Sequence, residues 1–197
     1  RGTGWDKSVT GFGDQINIRL GRLAVRLRKS RSGSALLEFA LIAPVFFLLL
    51  FAITEIGVIF FAQSTVQHAT NNLGRLIRTG QIQGEQLTQA QVRTQVCTDL
   101  APLVPCDNTL YVDIESFSDF GGITFTPPLD SGGNMVPLNG FSTGAPCSVV
   151  LVRVFYAWPV FTPALTAFLS NMAGDKHLLY AASAFRNEPY TTGLSGC

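Results

Sequence analysis

Charge is scarce in this chain. Lys, Arg, Asp and Glu make up 14% of its 197 residues, where roughly 25% is usual, and the mean hydropathy is +0.29. That combination excludes a disordered protein and an ordinary cytosolic enzyme. Histidine is scarcer still: His68 and His177 are the only two, and isolated histidines of this kind read as surface or hydrogen-bonded residues rather than ligands. The sequence holds no Walker loop, G-x-S-x-G, H-E-x-x-H or dinucleotide fingerprint, no C-x-x-C that would suggest zinc, and no internal repeat. These absences predict no catalytic residue, no metal and no cofactor. Fourteen basic residues against thirteen acidic ones give a net charge of +1, which argues against a nucleic-acid partner.

The small net charge conceals an asymmetry. Residues 1–33 carry eight basic groups (Arg1, Lys7, Arg19, Arg22, Arg26, Arg28, Lys29, Arg31) and two acids, Asp6 and Asp14, a net of +6. Residues 63–197 carry six basic and nine acidic groups, a net of −3. Between them lies FALIAPVFFLLLFAI, Phe39 to Ile53, fifteen residues without a polar side chain. With Glu38, Thr54 and Glu55 allowed, the apolar character runs from Ala35 to Ala62. At 1.5 Å per residue this is about 42 Å of helix, more than the ~30 Å hydrocarbon core of a bilayer. The run is too long for the apolar core of a cleaved secretory signal, and no A-x-A site follows it. A buried core helix seldom lacks polar residues for so long, so the run reads as a single membrane span. The basic flank stays cytoplasmic by the positive-inside rule, which places everything after Ala62 outside the cytoplasm.

The four cysteines agree with that direction. Cys97, Cys106, Cys147 and Cys197 all lie on the exported side, where an even number reads as disulfides. Three pairings are possible. Cys97–Cys106 closes a short loop containing Pro102 and Pro105 and is the first choice, which leaves Cys147–Cys197 to tie down the C-terminus.

Three segments follow from the patterning, with an α+β fold as the result. Residues 1–33 form a basic cytoplasmic leader, Gly-rich and polar over 1–15; the chain begins at Arg1 rather than Met, which leaves its natural start open. Within it, residues 16–29 put Leu20, Leu23 and Leu27 on one helical face and Arg19, Arg22 and Arg26 on another, suited to an anionic inner leaflet or to a simple topogenic flank. Residues 34–80 form the transmembrane helix and an extended stalk. Its stripe is Ile56, Ile59, Val66, Leu73 and Ile77, with Gln63 and Thr70 filling the gaps and Gly80 as the stop. Residues 81–197 form a small head with an antiparallel sheet and short helices. One helix is expected near Gln86–Leu100, on Val92, Val96 and Leu100, ending at Pro102. The period then changes to two. Leu110, Val112 and Ile114 alternate with Tyr111, Asp113 and Glu115 in a half-exposed strand over 109–117. SVVLVRVFY (148–156), apolar on both faces apart from Arg153, predicts a central strand. HLLYAASAF (177–185) predicts a third, with Ala182 and Ala184 where something packs close. Between the last two, Thr162 and Pro163 open a short helix with Leu165, Phe168, Leu169 and Met172 on its apolar face and Gly174 at its end. Residues 118–146 hold six glycines and four prolines, a long surface loop with an edge strand at 123–125. Asp113, Glu115 and Asp119 suit a solvated strand face better than a calcium site.

The residues that carry chemistry are Glu38 and Glu55, carboxylates at the two ends of the apolar run. A carboxylate in lipid is costly enough to demand a partner; Glu55, near the outer boundary, reads equally well as snorkelling to the interface. Gly33 stands five residues before Glu38. The order Gly33-Ser34-Ala-Leu-Leu-Glu38-Phe39 ahead of an apolar helix resembles a prepilin peptidase site, where cleavage follows the glycine and the glutamate becomes the fifth residue. The new ammonium on Ser34 would then pair with Glu38 of a neighbouring subunit, each charge offsetting the desolvation of the other. SGSALLEFALIAPVFFLLLFAITEIGVIFF (32–61), with Pro44 inside it and Glu55-Ile-Gly57 near its end, resembles the TadE-like family of minor pilins or pseudopilins of the tight adherence (Tad) pilus. NNLGRLIRTGQ (71–81), Cys97 with Cys106, and AFRNEP (184–189) extend the likeness over about residues 32–190. One departure is the leader of 33 residues or more, long for a prepilin.

The resemblance implies a structural protein of the bacterial inner membrane, with a cytoplasmic N-terminus and a periplasmic head. Its expected partners are other pilin and pseudopilin subunits, the prepilin peptidase, the inner-membrane assembly platform and the lipid bilayer. Incorporation into the extracellular pilus is also implied. Pro44 is expected to kink or locally melt the helix. The rival readings are a signal-anchored periplasmic binding or sensing module, using the 118–146 loop, and an anchored periplasmic enzyme.

Overall fold

The computed structural model describes residues 33–138, 140–190 and 197, so the polar 1–15 and the amphipathic 16–29 lie outside the described residues. From Ser34 the chain forms α1 (Ser34–Arg78), one α-helix with Pro44 inside it. The helix is unbroken at Pro44, so the local melting expected there is not found. It ends where the glycine pattern requires: Gly80 adopts a left-handed φ of 75°, and the Tyr190 ring packs so closely that a Cβ there would collide with it.

The chain divides into two compact units, residues 1–50 and 51–197. In the first, Leu36, Leu37, Phe39, Leu41, Ile42 and Val45 through Leu50 are all exposed. This part of α1 buries no face. Among the described residues, α1 is the one helix long and apolar enough to cross a membrane.

In the second unit α1 becomes one-sided. Glu55, Ile59, Ala62, Val66, Ala69, Thr70, Leu73, Gly74 and Ile77 are buried, spaced three and four residues apart in the main, so that they share one face. Two expectations are corrected here. Ile56 is exposed and Glu55 takes the inward position, because the inward face includes the small residues Ala62 and Ala69, which a count of large apolar side chains passes over. The expected stalk is also not free-standing: residues 59–77 share one hydrophobic core with the sheet and the next helices.

After the short turn α2 (Gln81–Gly84), α3 (Gln89–Leu100) opens with a capping box. The Thr88 hydroxyl accepts from the Gln91 N–H, and the Gln91 side chain accepts from the Thr88 N–H. Val92, Val96 and Leu100 are wholly buried, as their spacing predicts. The helix ends before Pro102, and Cys97 is joined to Cys106.

The sheet is antiparallel, in the order β1 (Leu110–Phe117), β2 (Val149–Pro159), β3 (Lys176–Arg186). As expected of a strand apolar on both faces, β2 is central. Val150, Val152, Val154, Tyr156 and Trp158 face the core that α1 and α3 close, with Leu110, Val112, Ile114, Leu179 and Ala181 beside them. Gly74 lets β3 come close, since a Cβ there would sit 3.0 Å from the Phe185 ring and 3.4 Å from the Ser183 hydroxyl. The residues facing α1 are therefore 181, 183 and 185, not Ala182 and Ala184. At Tyr180, one side chain of α1 serves both backbone groups: Gln63 Nε2 donates to the carbonyl at 2.7 Å and Gln63 Oε1 accepts from the N–H at 3.2 Å.

The other face of the sheet is covered by the 118–146 loop, so β1 is not half-exposed. Arg153 donates to the Thr124 carbonyl and the Tyr180 hydroxyl to that of Phe125. Residues 123–125 form no strand. Instead Phe141 runs beside Ile114: the Ile114 N–H donates to Gly140 and its carbonyl accepts from Ser142. The helix expected from Thr162 to Gly174 is also shorter, a 3-10 turn (Pro163–Leu165) and α4 (Thr166–Leu169). Gly174 belongs to the turn into β3, and Phe168 is 84% exposed.

Candidate functional site

At the start of α1, Gly33 is exposed, and a Cβ added to it would meet none of the described residues. Ser34, the first residue of the helix, donates its hydroxyl to Glu38 Oε1 at 3.0 Å. The sequence left Glu38 without a partner in its own helix; one turn of α-helix supplies one, because residues four apart lie over each other. A hydroxyl is a neutral donor, so the bond orients the carboxylate without itself supplying a countercharge.

The second carboxylate is handled differently. Glu55 is 7% exposed. Its carboxylate accepts from two successive backbone amides, Phe161 N–H at 2.5 Å and Thr162 N–H at 3.1 Å. Pro163 follows and has no N–H to offer. Thr162 makes no capping bond with its own side chain, so Glu55 of α1 caps this turn in its place. Together these charge-assisted bonds contribute on the order of 2 kcal/mol. They hold the segment after β2 against α1, and Glu55 does not snorkel. Around the tie, Trp158 meets the Phe161 ring edge-on, with centroids 6.2 Å apart.

A third polar cluster lies on the loop-covered face of the sheet. Asp113 and Arg153 are directly opposed on β1 and β2, and both are buried. Asp113 Oδ2 accepts from Arg153 Nε at 2.9 Å and Nη2 at 2.6 Å; Nη2 also donates to Glu115 Oε1 at 2.5 Å. A buried carboxylate needs a cation nearby, and the guanidinium is that cation. This overturns the solvated strand face. It also leaves no role for calcium among these acids, since Asp119 faces away into its own turn and accepts from Gly121. Burial first, and then the Asp113 carboxylate, push Glu115 above the usual carboxylate range, against the pull of Arg153. A signal for this pair was present in the sequence, as the lone charge in an apolar strand and an acid in the neighbouring one.

The remaining singled-out residues do not converge on these sites. His68 is exposed on α1, and His177 Nδ1 donates to the Leu169 carbonyl at 2.6 Å. Cys147 is joined to Cys197, and nearby Asn187 donates to the carbonyls of Thr143 and Ala145. Among the described residues no three His, Cys, Asp or Glu side chains are grouped to hold a metal.

Compared with known families, residues 33–75 match the family model of TadE-like proteins. The helical segment is TadE-like. Its match opens at Gly33, one residue before α1 begins, and closes at Arg75, three residues before α1 ends. The TadE-like match thus coincides with the helix and includes Gly33, Ser34, Glu38, Pro44 and Glu55. The likeness drawn over about residues 32–190 is carried by the family model only as far as 75. No curated protein and no solved structure matches the chain.

Proposed function

We propose that this protein is a membrane-anchored minor pilin or pseudopilin that takes part in assembling a Tad-type adhesion pilus, a structural role rather than a catalytic one. The observation that carries this reading is the coincidence at the start of α1. The TadE-like match opens at Gly33, the helix starts at Ser34, and Glu38 stands one turn further on, its carboxylate held by the Ser34 hydroxyl. Cleavage after Gly33 would free an ammonium on Ser34. In an assembly, that ammonium and Glu38 of the next subunit would offset each other's desolvation and set the axial register. The exposed apolar surface of residues 36–50 suits lipid before assembly and neighbouring helices after it. The basic leader places the N-terminus in the cytoplasm and the head in the periplasm of the bacterial inner membrane. The prepilin peptidase, other pilin subunits and the assembly platform are the partners this role needs.

The test is the N-terminal residue of the protein recovered from cells, by mass spectrometry, with and without the prepilin peptidase. A mature start at Ser34 that disappears without the peptidase is expected. A wild-type chain still carrying residues 16–33 would overturn processing and leave a permanent membrane component.

A further inference from the structure

The head carries a second apolar surface that the helix does not account for. From Val154 to Gly174 the sequence contains no Asp, Glu, Lys, Arg or His. Within this stretch Phe161 is 70% exposed and Phe168 84% exposed, with Pro159, Pro163, Ala164 and Ala167 exposed around them. Two bare phenylalanines on one short segment, with no charge near them in sequence, are unusual for a surface that meets water.

The Glu55 tie fixes where this surface lies. The amides of Phe161 and Thr162 sit on the Glu55 carboxylate, so the segment is level with position 55 of α1. Position 55 lies within the apolar run of residues 35–62, toward its outer end. On α1 itself, Ile56, Phe60 and Phe61 are exposed just beyond that level, continuing the apolar surface of the span.

We infer that the segment Val160–Leu169 is a second membrane contact, with Phe161 and Phe168 seated in the outer interfacial layer of the bilayer that α1 crosses. The inference rests on the reading of α1 as a membrane span. Lipid is the occupant because the patch lies beside the outer end of the apolar run and the stretch 154–174 has no charged side chain of its own. Aromatic rings anchored by a polar tie are well suited to that layer. Glu55 then has a definite task. It accepts from the backbone amides that would otherwise enter this layer unbonded, and it is itself relieved of exposure to lipid.

The experiment uses the full chain reconstituted in phosphatidylcholine vesicles, with Phe168→Trp as reporter and Ser131→Trp, on an exposed loop, as reference. Flotation after an alkaline carbonate wash establishes whether α1 is inserted. In vesicles brominated near the headgroup end of the acyl chains, the emission added by Phe168→Trp should be largely lost, while that added by Ser131→Trp survives. Equal emission in brominated and plain vesicles from a chain that floats would overturn the contact while leaving the span intact. Blue-shifted but unquenched emission would show protein cover, such as a second copy, and would overturn lipid as the occupant. A chain stripped by carbonate would overturn the span and the contact together.

Discussion

The two parts of α1 are made of similar residues and solve opposite problems. Over residues 36–50 the large apolar side chains are exposed all round the helix. Over residues 59–77 the buried face alternates large and small, with Ala62, Ala69 and Gly74 set among Val66, Leu73 and Ile77. The difference teaches that apolar content alone does not place a helix. A segment made for lipid can be uniformly bulky, since acyl chains conform to it. A segment made for a protein core needs small residues where strands approach, as Gly74 does beneath Phe185. The two carboxylates repeat the contrast, Glu38 held by one hydroxyl of its own helix and Glu55 by two amides of a distant turn.

The comparison is broken most strongly in the core. Leu73→Ala removes a wholly buried side chain and should lower the stability of the head by about 3 kcal/mol. Leu41→Ala, at an exposed position of the other part, should leave it unchanged. Urea unfolding of the full chain in detergent, followed by near-ultraviolet circular dichroism, measures both, and equal effects would erase the distinction.

A smaller effect separates the carboxylates. Glu55→Ala strips two amides of their acceptor and should cost the head about 2 kcal/mol. Glu38→Ala should leave the unfolding midpoint where it is and instead prevent pilus formation, scored by electron microscopy of cells in which the variant still inserts. Normal pili from that variant would remove Glu38 from the assembly mechanism.

The smallest effect is a pH dependence on the far face of the sheet. Glu115 binds its proton more tightly in the fold than its ordinary value of 4.5 implies, through burial first and the Asp113 charge second. Such a group favours the fold at low pH, and that contribution fades as pH rises through the folded-state value. The stability of the wild type relative to Glu115→Gln should therefore decline from about pH 4.5 upward. The change is a fraction of a kcal/mol, since 38% of the side chain meets solvent. A difference that is flat with pH, or that grows as pH rises, would refute the shift.

Much of this architecture is written in local patterns. The long apolar helix, the three strands with β2 central, the buried face of α3 and the stop at Gly80 each rest on a period or a residue type within a few positions. The misses are long-range. Glu55 finds its amides 106 residues away and Asp113 its guanidinium 40 residues away, and no periodicity encodes such a meeting. The 118–146 loop hides the face of β1 without forming a strand, so alternation in β1 reads as exposure. The helix after Thr162 is shorter than its apolar pattern suggests, because Phe168 is exposed rather than packed on a core. At the start of α1 the signal was clearer, because Gly33, Ser34 and Glu38 are neighbours in sequence and remain so in the fold.

The Gln63 amide has a consequence for how copies of this protein can meet. Strand β3 lies at the margin of the sheet, where free backbone groups invite another chain to join by strand pairing. At Tyr180 both of those groups are already taken by Gln63, which does the work of a one-residue fourth strand. Uncontrolled lateral growth through β3 must first displace that side chain from the helix it belongs to. Ordered association is thereby left to other surfaces, and the margin most prone to indiscriminate polymerisation is guarded at its middle.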